Sequence, residues 1–128
     1  MIYILENIAA ILLATLAALA IGAVWLRVSG RSLPGAGTLI VSALALFWCA
    51  AILAGALILA PPQASAWTMA VGSALVIWAG FVLPALGVTL LISGVSVSRT
   101  VSACAYWLVA MVVQASVMKL WGLTAPPV

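Results

Sequence analysis

Residues 4–26 read ILENIAAILLATLAALAIGAVWL, and the reading of this stretch decides the fold. Its single charge, Glu6, stands near its beginning, and from Ile8 to Leu26 the only hydroxyl is that of Thr15. A helix rises 1.5 Å per residue, so about 20 such residues cross a ~30 Å hydrocarbon layer. A membrane strand would instead alternate polar and apolar residues over about ten positions, and lipid leaves an open sheet edge without partners. No such alternation occurs in the stretch, so it is read as a membrane-spanning helix over residues 4–26.

Three further runs have the same character: Thr38–Ala60, Trp67–Ile92 and Thr100–Trp121. The breaks between them carry turn chemistry. Ser29-Gly30-Arg31-Ser32-Leu33-Pro34-Gly35 follows the first run, Pro61-Pro62 the second, and Ser93-Gly94-Val95-Ser96-Val97-Ser98-Arg99 the third. The expected architecture is all-α: a polytopic membrane protein forming one antiparallel four-transmembrane-helix bundle over residues 1–128, with 122–128 as a flexible tail. Ala18-Leu19-Ala20 has the small-residue look of a signal cleavage site. The residues before it carry Glu6 and no basic side chain, however, so the first span is expected to be retained.

Of the 128 residues, 69% are hydrophobic and 4% charged, with four basic residues, one acidic residue and no histidine. A soluble surface needs roughly a quarter to a third of charged residues. With no Asp and one Glu, the chain has no paired carboxylates, no triad and no His-based metal or haem site, so neither enzyme activity nor a cofactor is expected. Cys49 and Cys104 lie in apolar runs and are read as small buried hydrophobes rather than metal ligands. A dispersed net charge of +3 does not make a nucleic-acid surface. Arg27, Arg31 and Arg99 fall in the first and third loops, against Lys119 alone at the other end. The positive-inside rule then places those loops in the cytoplasm and both termini outside.

Few polar residues remain to be explained. Glu6 and Lys119 are expected at similar depth near the outer face, where they either form an ion pair between the first and last spans or each reach for water. Gln114 is the amide deep within a span, about 10 Å below the outer boundary by its count from Trp121. Ser73 on the third span lies at matching depth and is its expected partner. Pro84 removes a backbone donor, frees the Gly80 carbonyl and should bend the third span. Two rows of small residues are expected as helix contacts: Ser73, Gly80 and Gly87 on the third span, and Ala10, Ala14, Ala18 and Gly22 on the first. Of six tryptophans, Trp25, Trp67 and Trp121 stand at span ends as an aromatic belt. Trp48, Trp78 and Trp107 lie deeper; they fill the core, face lipid or line a hydrophobic groove.

Trp78-Ala79-Gly80-Phe81-Val82-Leu83-Pro84, then Tyr106-Trp107-Leu108 and a closing Trp121-Gly122, resemble the second half of the domain of unknown function 1761 family. The first span's ending, Ala20-Ile21-Gly22-Ala23-Val24-Trp25, resembles that family's opening helix with its Gly-x-x-Trp. Departures are Leu26-Arg27-Val28-Ser29-Gly30, where members continue with a Tyr-Ser-Pro-like segment, and Ala103 and Trp107, where they tend to flank the tyrosine with polar residues. The resemblance implies a small four-helix protein of the bacterial cytoplasmic membrane and carries no activity with it. Two functions fit these readings. One is a non-enzymatic accessory, assembly or structural subunit acting through helix packing, with membrane lipids, a homo-oligomer or a larger complex as partners. The other is a small transporter or channel subunit for an apolar or cationic compound. Small multidrug transporters place a carboxylate deep in their first helix; here Ala14 and Thr15 stand at that depth, so carboxylate-based proton coupling is not expected.

Overall fold

The computed structural model describes residues 1–127. Among the described residues six α-helices follow one another: α1 (Ile2–Glu6), α2 (Ile8–Val28), α3 (Ala36–Leu59), α4 (Ala66–Ile77), α5 (Leu83–Ile92) and α6 (Val97–Trp121). A π-helical turn, Trp78–Val82, joins α4 to α5 without interruption, so these two form one rod. No strand occurs among the described residues. Four helices are long and apolar enough to cross a membrane: Ile8–Val28, Ala36–Leu59, Ala66–Ile92 and Val97–Trp121. The protein is a multi-pass four-helix membrane bundle, as the apolar runs require.

The first span starts later than the sequence reading placed it. Helix α1 stops at Glu6, Asn7 breaks the run, and α2 begins at Ile8. At the other end the first and third spans stop in the same way. Gly30 (φ 69°) and Gly94 (φ 78°) adopt the left-handed conformation that glycine enters without steric cost. Around Gly30, Arg31 N–H donates to Leu26 O and Gly30 N–H to Arg27 O; Val95 N–H to Leu90 O and Gly94 N–H to Leu91 O repeat the pattern. These are paired Schellman caps, which satisfy carbonyls that a helix end leaves free.

The fourth span is central and packs against the other three, most extensively against the third, with a close contact also to the first. The small row on the first span carries that contact: Ala10, Ala14 and Ala18 are wholly buried with Ile11, opposite Ala110, Met111, Ala115 and Met118 of the fourth. Lipid is as apolar as these side chains, so the attraction comes from close backbone approach and dispersion contacts rather than from water exclusion.

The third span differs. Only Ala70 and Ala74 of it are buried, and its most apolar eighteen-residue stretch holds no buried residue. Pro84 shapes it by a route other than a simple bend. The π turn widens the helix just ahead of the proline, and Leu83 N–H reaches back five residues to Trp78 O. A wider turn gives the pyrrolidine ring room beside the Gly80 carbonyl, the group it would strike in a regular helix. The expected row of Ser73, Gly80 and Gly87 is not a helix contact within this chain. A Cβ added at Gly80 or Gly87 would meet nothing within 4 Å, and Ser73 is half-buried. The close contact falls on Ala70 and Ala74 instead, where a regular α-turn sets the face.

Candidate functional site

The polar side chains of this bundle are few, so each hydrogen bond they form is informative. At the end of the molecule that holds both termini, Asn7 is 4% exposed and its amide faces the backbone of Thr124. Nδ2 donates to Thr124 O and to Tyr3 O, each at 2.8 Å, while Oδ1 accepts from Thr124 N–H at 2.7 Å. The side chain thus pairs with Thr124 as a neighbouring strand would. Leu123 packs on the core beside this clasp, so the segment expected as a flexible tail is held at its start; Val128 lies outside the described residues. Nearby, Tyr3 OH donates to Ala51 O at 3.2 Å, over Gly55, whose missing Cβ leaves room for the ring.

Of the two alternatives for Glu6 and Lys119, the ion pair does not form. Glu6 is exposed, and Lys119 Nζ stands 4.2 Å from the centre of the Trp67 ring. No Glu6–Lys119 contact occurs among the described residues. A cation over an aromatic face at the membrane boundary keeps its hydration while gaining the ring quadrupole. The chain ends are joined after all, but by Asn7 and Thr124. Asn7 escapes a reading that follows charge; the signal available in the sequence is an uncharged amide embedded in an apolar run.

Deeper in the bundle, Gln114 is fully buried, and its Nε2 donates to Leu46 O of the second span at 2.9 Å. Ser73 is not its partner. Helix rotation turns Gln114 toward the second span. Thr15 Oγ1 donates to Ile11 O one turn earlier at 2.8 Å. Gln114 Oε1 is left without a partner in the described structure.

The three deep tryptophans have separate fates. Trp48 is 51% exposed and faces outward. Trp107 packs edge-on against Tyr106, with ring centres 5.9 Å apart, and lines a shallow surface with Phe81. Trp78 lies against the fourth span, its indole N–H donating to Cys104 O at 2.9 Å. Beside Trp78 runs a groove of about 340 Å³ between the third and fourth spans. Gly87 and Leu91 line one side; Thr100, Cys104 and Leu108 line the other. Thr100 Oγ1 is buried here with no hydrogen-bond partner, in an otherwise apolar lining. An unpaired hydroxyl in such a place costs about 1–3 kcal/mol, and an acceptor entering the groove relieves it.

A second aromatic cluster lies toward the opposite end from the Asn7 clasp. Tyr106 sits between Trp107 and Trp25, whose ring centre is 6.1 Å away, with its hydroxyl over Gly22. A Cβ at Gly22 would stand 2.9 Å from that oxygen. The last residue of the first span's small row is therefore a seat for Tyr106. Gly22, Trp25, Tyr106 and Trp107, which carry part of the sequence resemblance, lie together in space. Among the described residues no group of three or more His, Cys, Asp or Glu side chains is placed to hold a metal ion. The chain matches no protein-family model, no curated protein and no solved structure.

Proposed function

We propose that this protein is a non-enzymatic accessory subunit of a membrane complex, and that it receives a helix of its partner in the groove between the third and fourth spans. The observation that carries this reading is the buried, unpartnered Thr100 hydroxyl in an apolar groove beside Gly87. The third span around it is the least covered of the four, and Gly80 and Gly87 both open to empty space. Small residues let a partner backbone come close, and the hydroxyl gains an acceptor when it does. The transport reading has less support, because Thr15 and Gln114, the polar side chains at mid-bundle, donate to the protein's own carbonyls.

The family resemblance and the arginine bias together support a bacterial cytoplasmic membrane with the Arg31 and Arg99 end inside and both termini outside. Gly87→Leu tests the packing role, since it fills the groove from a position where the lone chain has room. Thermal unfolding of the isolated chain should move by no more than about 0.5 kcal/mol, as for a substitution that disturbs no internal contact. The complex extracted at native expression in mild detergent should shrink to the lone chain on a native gel. A complex of unchanged size in the variant, or a wild-type chain that already migrates alone, would remove the proposal.

A further inference from the structure

Two of the four basic side chains, Arg31 of the first loop and Arg99 of the first turn of α6, line one cavity of about 460 Å³. Both are placed by the local chemistry of helix ends. Arg31 directly follows Gly30 in the Schellman cap, its own N–H held by Leu26 O at 2.8 Å. Arg99 lies in the first turn of α6, where its N–H is capped by Ser96 Oγ at 3.4 Å. Ser29, Ser102 and Tyr106 add hydroxyls to the lining.

No carboxylate answers these two charges. Glu6, the only acidic side chain of the sequence, precedes the first span, and the 21 residues of α2 separate it from this end by about 30 Å. The start of α6 adds the partial positive charge of a helix N-terminus on the same side. Two guanidinium groups, hydroxyl donors and a helix start around one cavity match a phosphate, whose oxygens accept paired N–H bonds from arginine. The cavity stands where two spanning helices leave the hydrocarbon, at the depth of lipid headgroups. It shares Trp25, Leu26 and Tyr106 with a mainly apolar crevice of about 280 Å³ that runs along Gly22 and Pro34, which offers an acyl chain a place beside its headgroup.

We infer that the Arg31–Arg99 cavity binds the phosphodiester headgroup of an anionic phospholipid. Basic pockets between spanning helices recognise such heads by charge and hydrogen bonding together. The full chain in neutral detergent, titrated with phosphatidylglycerol, phosphatidylcholine or inorganic phosphate, tests this by native mass spectrometry and by thermal unfolding. Phosphatidylglycerol should bind saturably and raise the unfolding temperature, whereas phosphatidylcholine and millimolar phosphate should not. Arg31→Gln and Arg99→Gln should each weaken phosphatidylglycerol at least about tenfold, as expected for loss of a charge-assisted contact. Arg27→Gln, in the last turn of α2 and outside the cavity lining, should leave the affinity unchanged. Both arginines are exposed, so the lipid-free variants should unfold at the wild-type temperature, which separates lost binding from lost folding. Equal binding of phosphatidylcholine, wild-type affinity in the double variant, or an equal loss from Arg27→Gln would overturn the assignment. Competition by inorganic phosphate would overturn the lipid in favour of a soluble anion.

Discussion

Gly22 and Tyr106 show how a single missing carbon sets a contact in this bundle. The hydroxyl oxygen of Tyr106 occupies the place a Cβ would need, and Trp25 and Trp107 on either side hinder the ring from moving away. Gly22→Ala should therefore destabilise the protein by about 1 kcal/mol, the low end of the cost of overpacking, because Gly22 and Tyr106 also border an open crevice. The next atoms of the ring lie at 3.6 Å, an ordinary contact distance. In a Tyr106→Phe background the same Gly22→Ala change should thus cost little, and thermal unfolding of the four variants in one detergent measures the difference. Equal costs in both backgrounds would show that the hydroxyl is not the obstacle. At this scale the sequence exposed needs more readily than partners. A deep indole wants an acceptor, and Trp78 has one; nothing in the chain's order names Cys104 as the residue that supplies it. Gln114 makes the same point from the opposite direction. Counting residues inward fixes a depth, but the rotation of each helix about its own axis is settled only by packing, and that rotation selected Leu46 over Ser73.

Among the elements, the third span departs most from regular geometry. Proline was legible as a disturbance, and its placement in a helix interior follows from the apolar run around it. That the disturbance is absorbed as a π turn, Trp78–Val82, depends on contacts ahead of the proline: Ala70 and Ala74 against the core, and the Trp78 bond to Cys104 O. Pro84→Ala gives the chain back an N–H that can reach the Gly80 carbonyl, which favours closing the turn. Closing it removes one residue from the wide turn and rotates the flanking segments by roughly 100° relative to each other. The indole of Trp78 then leaves Cys104. In a sample labelled at tryptophan nitrogen, the hydrogen-bonded indole N–H resonance of Trp78 should move upfield in this variant. A resonance that stays in place would show that the tertiary contacts hold the wide turn without help from the proline. The remaining span boundaries were readable to within a few residues because hydrophobic length and glycine caps set them. The start of the first span was misplaced because Asn7 looks innocuous within an apolar run until its partner, 117 residues away, is known.

Over the whole molecule, the four spans were legible from composition alone, since no other arrangement satisfies so many backbone groups in lipid. The pairing that joins the two end segments was not, because Asn7 and Thr124 stand 117 residues apart. Asn7→Ala should lower stability by about 1–3 kcal/mol, the cost of losing a buried, hydrogen-bonded amide. Removing residues 124–128 should lower it similarly, and the two changes together should cost little more than either alone, as expected for partners in one contact. Additive losses in equilibrium unfolding would separate the two residues. The position of this pair along the chain also orders events in time. Asn7 is made 117 residues before Thr124, so the amide stays unanswered until the fourth span has entered the membrane and folded back. The contact records the insertion of the fourth span: a chain stalled with three helices inserted displays a free asparagine amide, and one with all four in place does not.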